Sequence, residues 1–422
     1  MHALGPGLVT GASDDDPSGI ATYAQAGARG GLSFLWTALL TFPLMAAVQE
    51  ICDRTALASG CGLGELATKR FGRTGRTVIA FLLAVLVVAN TLNISADLIA
   101  VGSGMTLLHA GPTWIWALIA GTLITILLAL DSFDRLAVVF KVLCASLLTY
   151  VVVAIIVTHQ WVSLVEHTVV PHIKFTKSYI ALFVAILGTT ISPYLFFWQS
   201  AHRLEEMREE PEGGSDPRPL KRVPRARADL KIRTSRVDVF SGMAFSNLVM
   251  FAIIASAGET LHVHHQTNIQ SAAQAAKALQ PLAGHLATVV FALGFIGSGL
   301  LAIPVLAASA SIGFADLFGF EWGFSRSVRR APFFYSLVAL GTVGGTLLSL
   351  LHVNPIKLLV FVAVINGVTA APFLIIVMRI SSSAALMGRY VNGKLATMLG
   401  WLTVLLMGGA AVAVFVTGGI SF

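Results

Sequence analysis

Apolar runs close to the ~20 residues that a bilayer core requires recur along the whole chain, separated by short polar stretches. They predict eleven membrane-spanning helices at about 4–27, 32–57, 76–108, 113–130, 136–158, 178–202, 236–258, 282–313, 331–351, 355–380 and 395–418. Two of these runs are interrupted at their centres, the first by Asp14-Asp15-Asp16-Pro17-Ser18-Gly19 and the second by Thr189-Thr190-Ile191-Ser192-Pro193-Tyr194. In lipid a helix can unwind only where protein or a water-filled cavity satisfies the freed backbone groups. Paired broken helices in corresponding halves of a chain point to a transporter's substrate site. Helices 1–5 and 6–10 match in this respect, each set opening on a proline-broken span. Because five is odd, the second set enters from the opposite side, and the repeat is inverted. The expected fold is therefore an all-α integral membrane protein with one transporter domain over residues 1–422. Its repeats lie at about 4–158 and 178–380, helix 11 (about 395–418) is an addition, and a flexible loop occupies about 203–236.

Composition agrees with a membrane protein: 56% of the 422 residues are hydrophobic and 12% charged, where a soluble domain carries about 25% charged residues. Residues 1–15 lack the features of a cleaved signal peptide, so the first span is expected to be retained. With the N-terminus inside, 23 of the 28 Lys and Arg residues fall in inner loops. The positive-inside rule then predicts a multi-pass protein of the cell's inner (plasma) membrane, N-terminus cytoplasmic and C-terminus outside. The same rule accounts for the net charge of +7 without a nucleic-acid partner. It also explains the basic stretch in the 203–236 loop better than the rival reading, contact of Lys221, Arg222, Arg225 and Arg227 with anionic lipid. Cys52, Cys61 and Cys144 form no disulfide framework. No Walker loop, dinucleotide fingerprint, nucleophile elbow or zinc-protease motif is present. A non-enzyme without a cofactor is expected, monomeric, with the bilayer and its cargo as partners.

The candidate chemistry sits inside the spans. Asp16 falls near the middle of helix 1, where a carboxylate costs about 2.5–3.5 kcal/mol on insertion scales unless it faces water or a cation. Pro17 disfavours helix at Asp16. Asp16, with Asp15 beside it and carbonyl oxygens freed by the break, would suit a hard cation. A competing reading makes Asp16 the N-cap of a helix that starts at Pro17, with residues 1–15 at the surface. In the second knot Thr189, Ser192 and Tyr194 supply neutral oxygens, the bland alternative being a plain proline kink. Helix 3 carries Asn90, Asn93 and Asp97 on one face, as a water-lined path or as hydrogen bonds to neighbouring helices. Asn366 on helix 10 poses the same choice. His262, His264 and His265 are expected to form a solvated cluster rather than a metal site.

Gly5-Pro6-Gly7 followed by Asp16-Pro17-Ser18-Gly19 resembles the opening of the natural-resistance-associated macrophage protein (NRAMP) family of divalent-metal transporters. That family carries Asp-Pro-Gly-Asn in helix 1 and Met-Pro-His in helix 6. The resemblance implies the LeuT-type inverted-repeat fold, alternating access and a cation site at Asp16, Gly19, Thr189 and Ser192. Asp15, Tyr194, Asn90, Asn93, Asp97 and Asn366 would line the cavity. The departures are instructive: the family asparagine falls on Gly19, its methionine on Ser192, its histidine on Tyr194, and its helix 3 glutamate on Ala100. Thr-Thr-Ile-Ser-Pro-Tyr is similar to the NRAMP-related magnesium transporter branch. Loss of the thioether removes a soft ligand, and loss of the asparagine leaves room for water that Mg2+ gives up reluctantly. Loss of the histidine and glutamate removes titratable groups. The expectation is uptake of partly hydrated Mg2+, and also Mn2+, without proton coupling. The alternatives are a proton-coupled Mn2+/Fe2+ importer and an organic-solute transporter on the same fold.

Overall fold

The computed structural model describes residues 5–130, 133–209, 217–267, 269, 272–351 and 354–416. Among them every regular element is helical, and each of the eleven expected spans meets a helix. Span 1 is two helices, α1 (Pro6–Asp14) and α2 (Pro17–Gly30), and spans 2 to 5 are α3 (Trp36–Ser59), α4 (Leu63–Leu107), α5 (Thr113–Leu130) and α6 (Phe133–Val157). A short helix absent from the expectation, α7 (Trp161–Val169), follows α6 across a bend of 119°. Span 6 is again two helices, α8 (Lys177–Thr190) and α9 (Pro193–Glu209). Then come α10 (Arg225–Ala257), α11 (Ala272–Phe318), α12 (Pro332–Ser349), α13 (Pro355–Ser381), the single turn α14 (Ala384–Met387) and α15 (Lys394–Val416).

Among the described residues, seven helical spans are long and apolar enough to cross a bilayer unaided. The broken span Lys177–Glu209 is among them; the remaining spans fall in two sharply bent helix pairs, Pro17–Phe34 with Trp36–Ser59 (111°) and Leu143–Val157 with Trp161–Val169 (119°), and in the shorter Thr113–Ala129 of α5. In the Lys177–Glu209 span and in Phe291–Phe318 of α11, 83% of the apolar window is buried, against 28% for Lys394–Val414. The broken span and α11 are therefore central, and the eleventh span is peripheral. Phe81, Val88, Ile155, Leu347 and Leu405 are exposed. Such a belt would be an aggregation hazard in water and is ordinary against lipid.

The flexible loop expected at 203–236 is corrected over its described part. α9 runs on to Glu209 and α10 begins at Arg225. Hydropathy sees only the apolar part of such a helix. The polar extension is held by a narrow buried edge, Ala228 and Ser235, and by ion pairs. The acidic Pro/Gly stretch at 210–216 lies outside the described residues, as do residues 1–4, Asp131 and the end of the eleventh span at 417–418. α4 likewise starts earlier than expected, at Leu63, with a break at Gly72 (φ 65°) that a left-handed backbone reserves for glycine.

Two packing features set the position of α1. The amides at its N-terminal end, Gly5 and Gly7, donate to Asp238 of α10 at 3.1 and 2.8 Å, which satisfies orphan donors at the positive end of the helix. Asp238 also pairs with Arg203 of α9 (3.0 Å), whose guanidinium binds Asp53 of α3 (2.6 Å) and Glu206. Gln199 and Ser235 donate to the same Asp53. Further along, α1 touches α10 backbone to backbone: a Cβ on Gly11 would stand 2.1 Å from the Gly242 carbonyl oxygen. Gly11→Val is expected to lower stability by about 3 kcal/mol, the upper end of overpacking. A thermal melt of the purified chain checks this, and an unchanged midpoint would mean the helices can separate at little cost.

Candidate cation site

Both breaks are two residues long. Asp15 (φ −87°, ψ 48°) leaves the helical region after α1, and Asp16 (φ −65°, ψ 168°) is extended. Ile191 (φ −123°, ψ 56°) and Ser192 separate α8 from α9 in the same way. Pro17 and Pro193 each stand first in the following half-helix, where no amide partner is needed. The carbonyl ends of α1 and α8 thus meet the amide ends of α2 and α9 inside the protein. The two breaks touch. Ser18 Oγ lies 3.5 Å from Thr189 Oγ1, and the Tyr194 hydroxyl donates to the Ser13 carbonyl at 3.0 Å.

Asp16 is only 1% exposed. Its Oδ1 accepts from the Gly19 amide (2.8 Å) and the Ser18 hydroxyl (2.5 Å), so it caps α2. Its Oδ2 accepts from Asn93 Nδ2 (2.8 Å) and lies 3.5 Å from the Tyr194 hydroxyl. The capping alternative therefore holds for the side chain, but its corollary fails: α1 is buried helix, not surface. Gly19 contributes an amide and space rather than a ligand atom. A Cβ there would sit 3.2 Å from both the Asp14 carbonyl oxygen and Thr189 Oγ1. The Ser192 hydroxyl donates to the Gly188 and Thr189 carbonyls (2.8 and 2.9 Å). It thereby occupies the Thr189 carbonyl that the resemblance offered as a ligand.

The unfilled acceptors say more than the filled ones. Asp14, Asp15, Asp16, Asn93, Asp97, Thr189, Ser192 and Tyr194 are each 1% exposed or less. Both carboxylate oxygens of Asp15 and of Asp97, Asp14 Oδ1 and Asn93 Oδ1 have no hydrogen-bond partner. Asp14 Oδ2 takes one hydrogen bond, from Ser246 of α10 at 2.9 Å. Asp97 lies within electrostatic reach of Asp16. Its backbone and Pro17 both border Gly299 of α11. Among the described residues, no Lys, Arg or His is among the groups acting on these four aspartates. Buried acceptors without partners are costly, and a cation, its water or protons would supply what is missing. Among the described residues no three His, Cys, Asp or Glu side chains form a ready-made metal cage. Protein ligands for an ion here would be one or two carboxylates with hydroxyl, amide or water oxygens.

Other expected residues fall elsewhere. Asn90 follows the alternative of bonding a neighbouring helix: its amide donates to the Leu306 carbonyl (2.8 Å) and Ser309 Oγ (3.1 Å), tying α4 to α11, while its Oδ1 has no partner. Asn366 is buried with Oδ1 unpartnered, next to the close approach of Gly367 to Gly188. His262 pairs with the Ala28 carbonyl of α2 at 3.0 Å and His264 with the Thr260 carbonyl one turn back at 2.7 Å, so the two rings serve different partners. Asp14, Ser18 and Ser246 are the contributors that sequence reasoning passed over. Three consecutive aspartates in an apolar run were the available signal for Asp14; nothing marked Ser246.

The site residues are buried, and hydrogen-bond networks lie toward either end of the broken first span. On one side stands the Asp53–Arg203–Asp238 network. On the other, Gln25 exchanges hydrogen bonds with the Thr267 carbonyl (2.9 Å) and the Ile269 amide (3.1 Å). Tyr179 reaches the Ser33 carbonyl at 3.2 Å.

Comparison with known proteins gives a consistent picture. The family model described as natural resistance-associated macrophage protein-like matches residues 7–417. The "Divalent metal cation transporter MntH" of Acidiphilium cryptum (strain JF-5) is 26% identical over 390 residues, 91% of this chain and 83% of that protein. The protein of the same description from Verminephrobacter eiseniae (strain EF01-2) is 29% identical over 351 residues, 80% of this chain and 74% of the other. A crystal structure of the Eremococcus coleocola manganese transporter, in complex with an aromatic bis-isothiourea substituted compound, superposes with a TM-score of 0.75 at 15% identity. It covers 98% of this chain and 86% of that one. The shared architecture is the LeuT-type fold.

Proposed function

The chain belongs to the natural resistance-associated macrophage protein-like family, and on that footing we propose that it imports hard divalent cations, Mn2+ with Mg2+ also admitted. It is a membrane transporter of divalent metal rather than an enzyme, and the ion is cargo, not cofactor. The observation that carries the choice of ion is the donor set around Asp16. The Ser18 and Tyr194 hydroxyls, the Gly19 amide and the Asn93 carboxamide nitrogen contact it, Thr189 Oγ1 lies beyond Ser18, and neither thioether nor imidazole is among these partners. Oxygen ligands suit Mg2+ and Mn2+, while soft ligands select other metals. Asp16 is the charged ligand, Ser18, Thr189, Ser192 and Tyr194 supply neutral oxygens, and Asn93 orients the carboxylate. An organic acid is a poor rival, because it would meet four carboxylates and no basic side chain.

The expectation of ion movement without protons rested on a missing histidine and a missing glutamate. Asp14, Asp15 and Asp97 put buried carboxylates back beside Asp16. A divalent ion and protons compete for such groups, which favours a proton-linked importer of the main family type. Alternating access is the mechanism that the inverted-repeat fold supports, with the basic face taken as cytoplasmic.

The test is flux into sealed proteoliposomes that contain a metal indicator and a pH dye. Mn2+ should enter, Mg2+ at millimolar concentration should slow it, and the lumen should acidify as metal arrives. Preference for Cd2+ over Mn2+ would refute the hard-site reading. Metal entry without any pH change would return the mechanism to uncoupled uptake.

A further inference from the structure

On the basic face, a cleft of about 730 Å3 lies between α10 and α15, both of which pack on α3. Six cationic side chains line it: Arg54, Arg225, Arg233, Arg236, Arg389 and Lys394. Only two carboxylates do, Glu50 and Asp229. Glu50 is shared between Arg54 (3.1 Å) and Arg236 (2.9 Å), and Asp229 reaches Arg225 at 3.5 Å. Among the described residues, Arg233, Arg389 and Lys394 have no carboxylate partner. The cleft is therefore an unneutralised cationic recess. Its other wall is apolar, made in part by Phe240, Leu395 and Leu399. Phe240 is 43% and Leu395 65% exposed, and the apolar surface continues along α15 through Met398, Leu402 and Leu405, all exposed.

We propose that this cleft binds the phosphate headgroup of an anionic phospholipid, with the acyl chains lying along the exposed face of α15. Guanidinium groups suit phosphate oxygens, which they can bind in pairs. Basic clusters at a membrane's cytoplasmic edge attract acidic lipid. The apolar wall selects the lipid over a soluble phosphate compound, which has no use for it. The volume exceeds that of a bare phosphate and suits a headgroup with its glycerol. The basic stretch near residue 225 thus serves lipid through Arg225 and Arg233 of a helix, not through a flexible loop.

Native mass spectrometry of the full chain in detergent, titrated with phosphatidylglycerol or with phosphatidylcholine of matched chains, reads occupancy directly. Phosphatidylglycerol should bind at least tenfold more tightly. That preference should fall about tenfold in Arg233→Glu/Arg389→Glu and in Lys394→Glu, and persist in Arg73→Glu, an exposed charge outside the cleft. The substituted side chains are exposed, and an unchanged thermal melt verifies the fold. Equal binding of the two lipids would overturn the proposal, as would a preference that survives both cleft variants. Displacement of the lipid by millimolar glycerol 3-phosphate would overturn it too, by making a water-soluble phosphate compound the occupant.

Discussion

Asp16→Asn is expected to reduce metal flux by about a hundredfold or more while leaving the chain folded. Asparagine is as good an N-cap as aspartate, so its side-chain oxygen can keep the Gly19 amide and α2 keeps its start. What disappears is the negative charge. At an effective dielectric constant of about 20, two unit charges 4 Å apart attract by about 4 kcal/mol, and each 1.4 kcal/mol is a factor of about ten in binding. Asp16→Ala should lose the flux and also about 0.5–2 kcal/mol of stability with the cap. Proteoliposome flux and a thermal melt, run on both variants, separate the two contributions. Normal flux in Asp16→Asn would move the ion onto Asp15 or Asp97.

Arg203→Ala should cost about 3–5 kcal/mol, the range for removing one partner of a buried ion pair. Arg203 is 3% exposed at its side chain and Asp53 1%. One guanidinium serves Asp53, Glu206 and Asp238, and Asp238 in turn holds the start of α1. Truncation strands a buried carboxylate on α3 and weakens the anchor of α1. Arg203→Lys should recover only part of the loss, because a point charge cannot reach three acceptors as a planar fork does. Adding Asp53→Asn to Arg203→Ala should restore some stability, since the stranded charge is gone. Melting midpoints of the four proteins check this; a midpoint unchanged in Arg203→Ala would mean that water already screens the network.

The spans and both breaks were legible because lipid enforces simple rules. A run must reach about 20 apolar residues, and a proline with polar neighbours inside such a run has few explanations. Asp16, Thr189 and Tyr194 could be named for the same reason. What hydropathy could not register is helix that leaves the apolar layer, hence the early starts of α4 and α10. Nor could it register partners distant in sequence. Asn90 and Asn93 lie three residues apart on one helix face, yet one bonds the α11 backbone and the other the Asp16 carboxylate. A small rotation about α4 decides between them, and no local pattern encodes it. Ser192 was read as the replacement for a soft ligand. Its second task, closing the end of α8, depends on backbone geometry that the residue name does not reveal.

The three aspartates of the first break also bear on how the chain enters the membrane. Near a helix centre each costs about 2.5–3.5 kcal/mol on insertion scales, while an apolar residue returns only about 0.3–0.6. The groups that donate to Asp16 and Asp14, namely Asn93, Tyr194 and Ser246, are synthesised tens to hundreds of residues later. When the first span leaves the ribosome it therefore carries a debt it cannot settle alone. Its stable integration waits on helices from both halves of the chain, so a segment made before its partners is secured only after them.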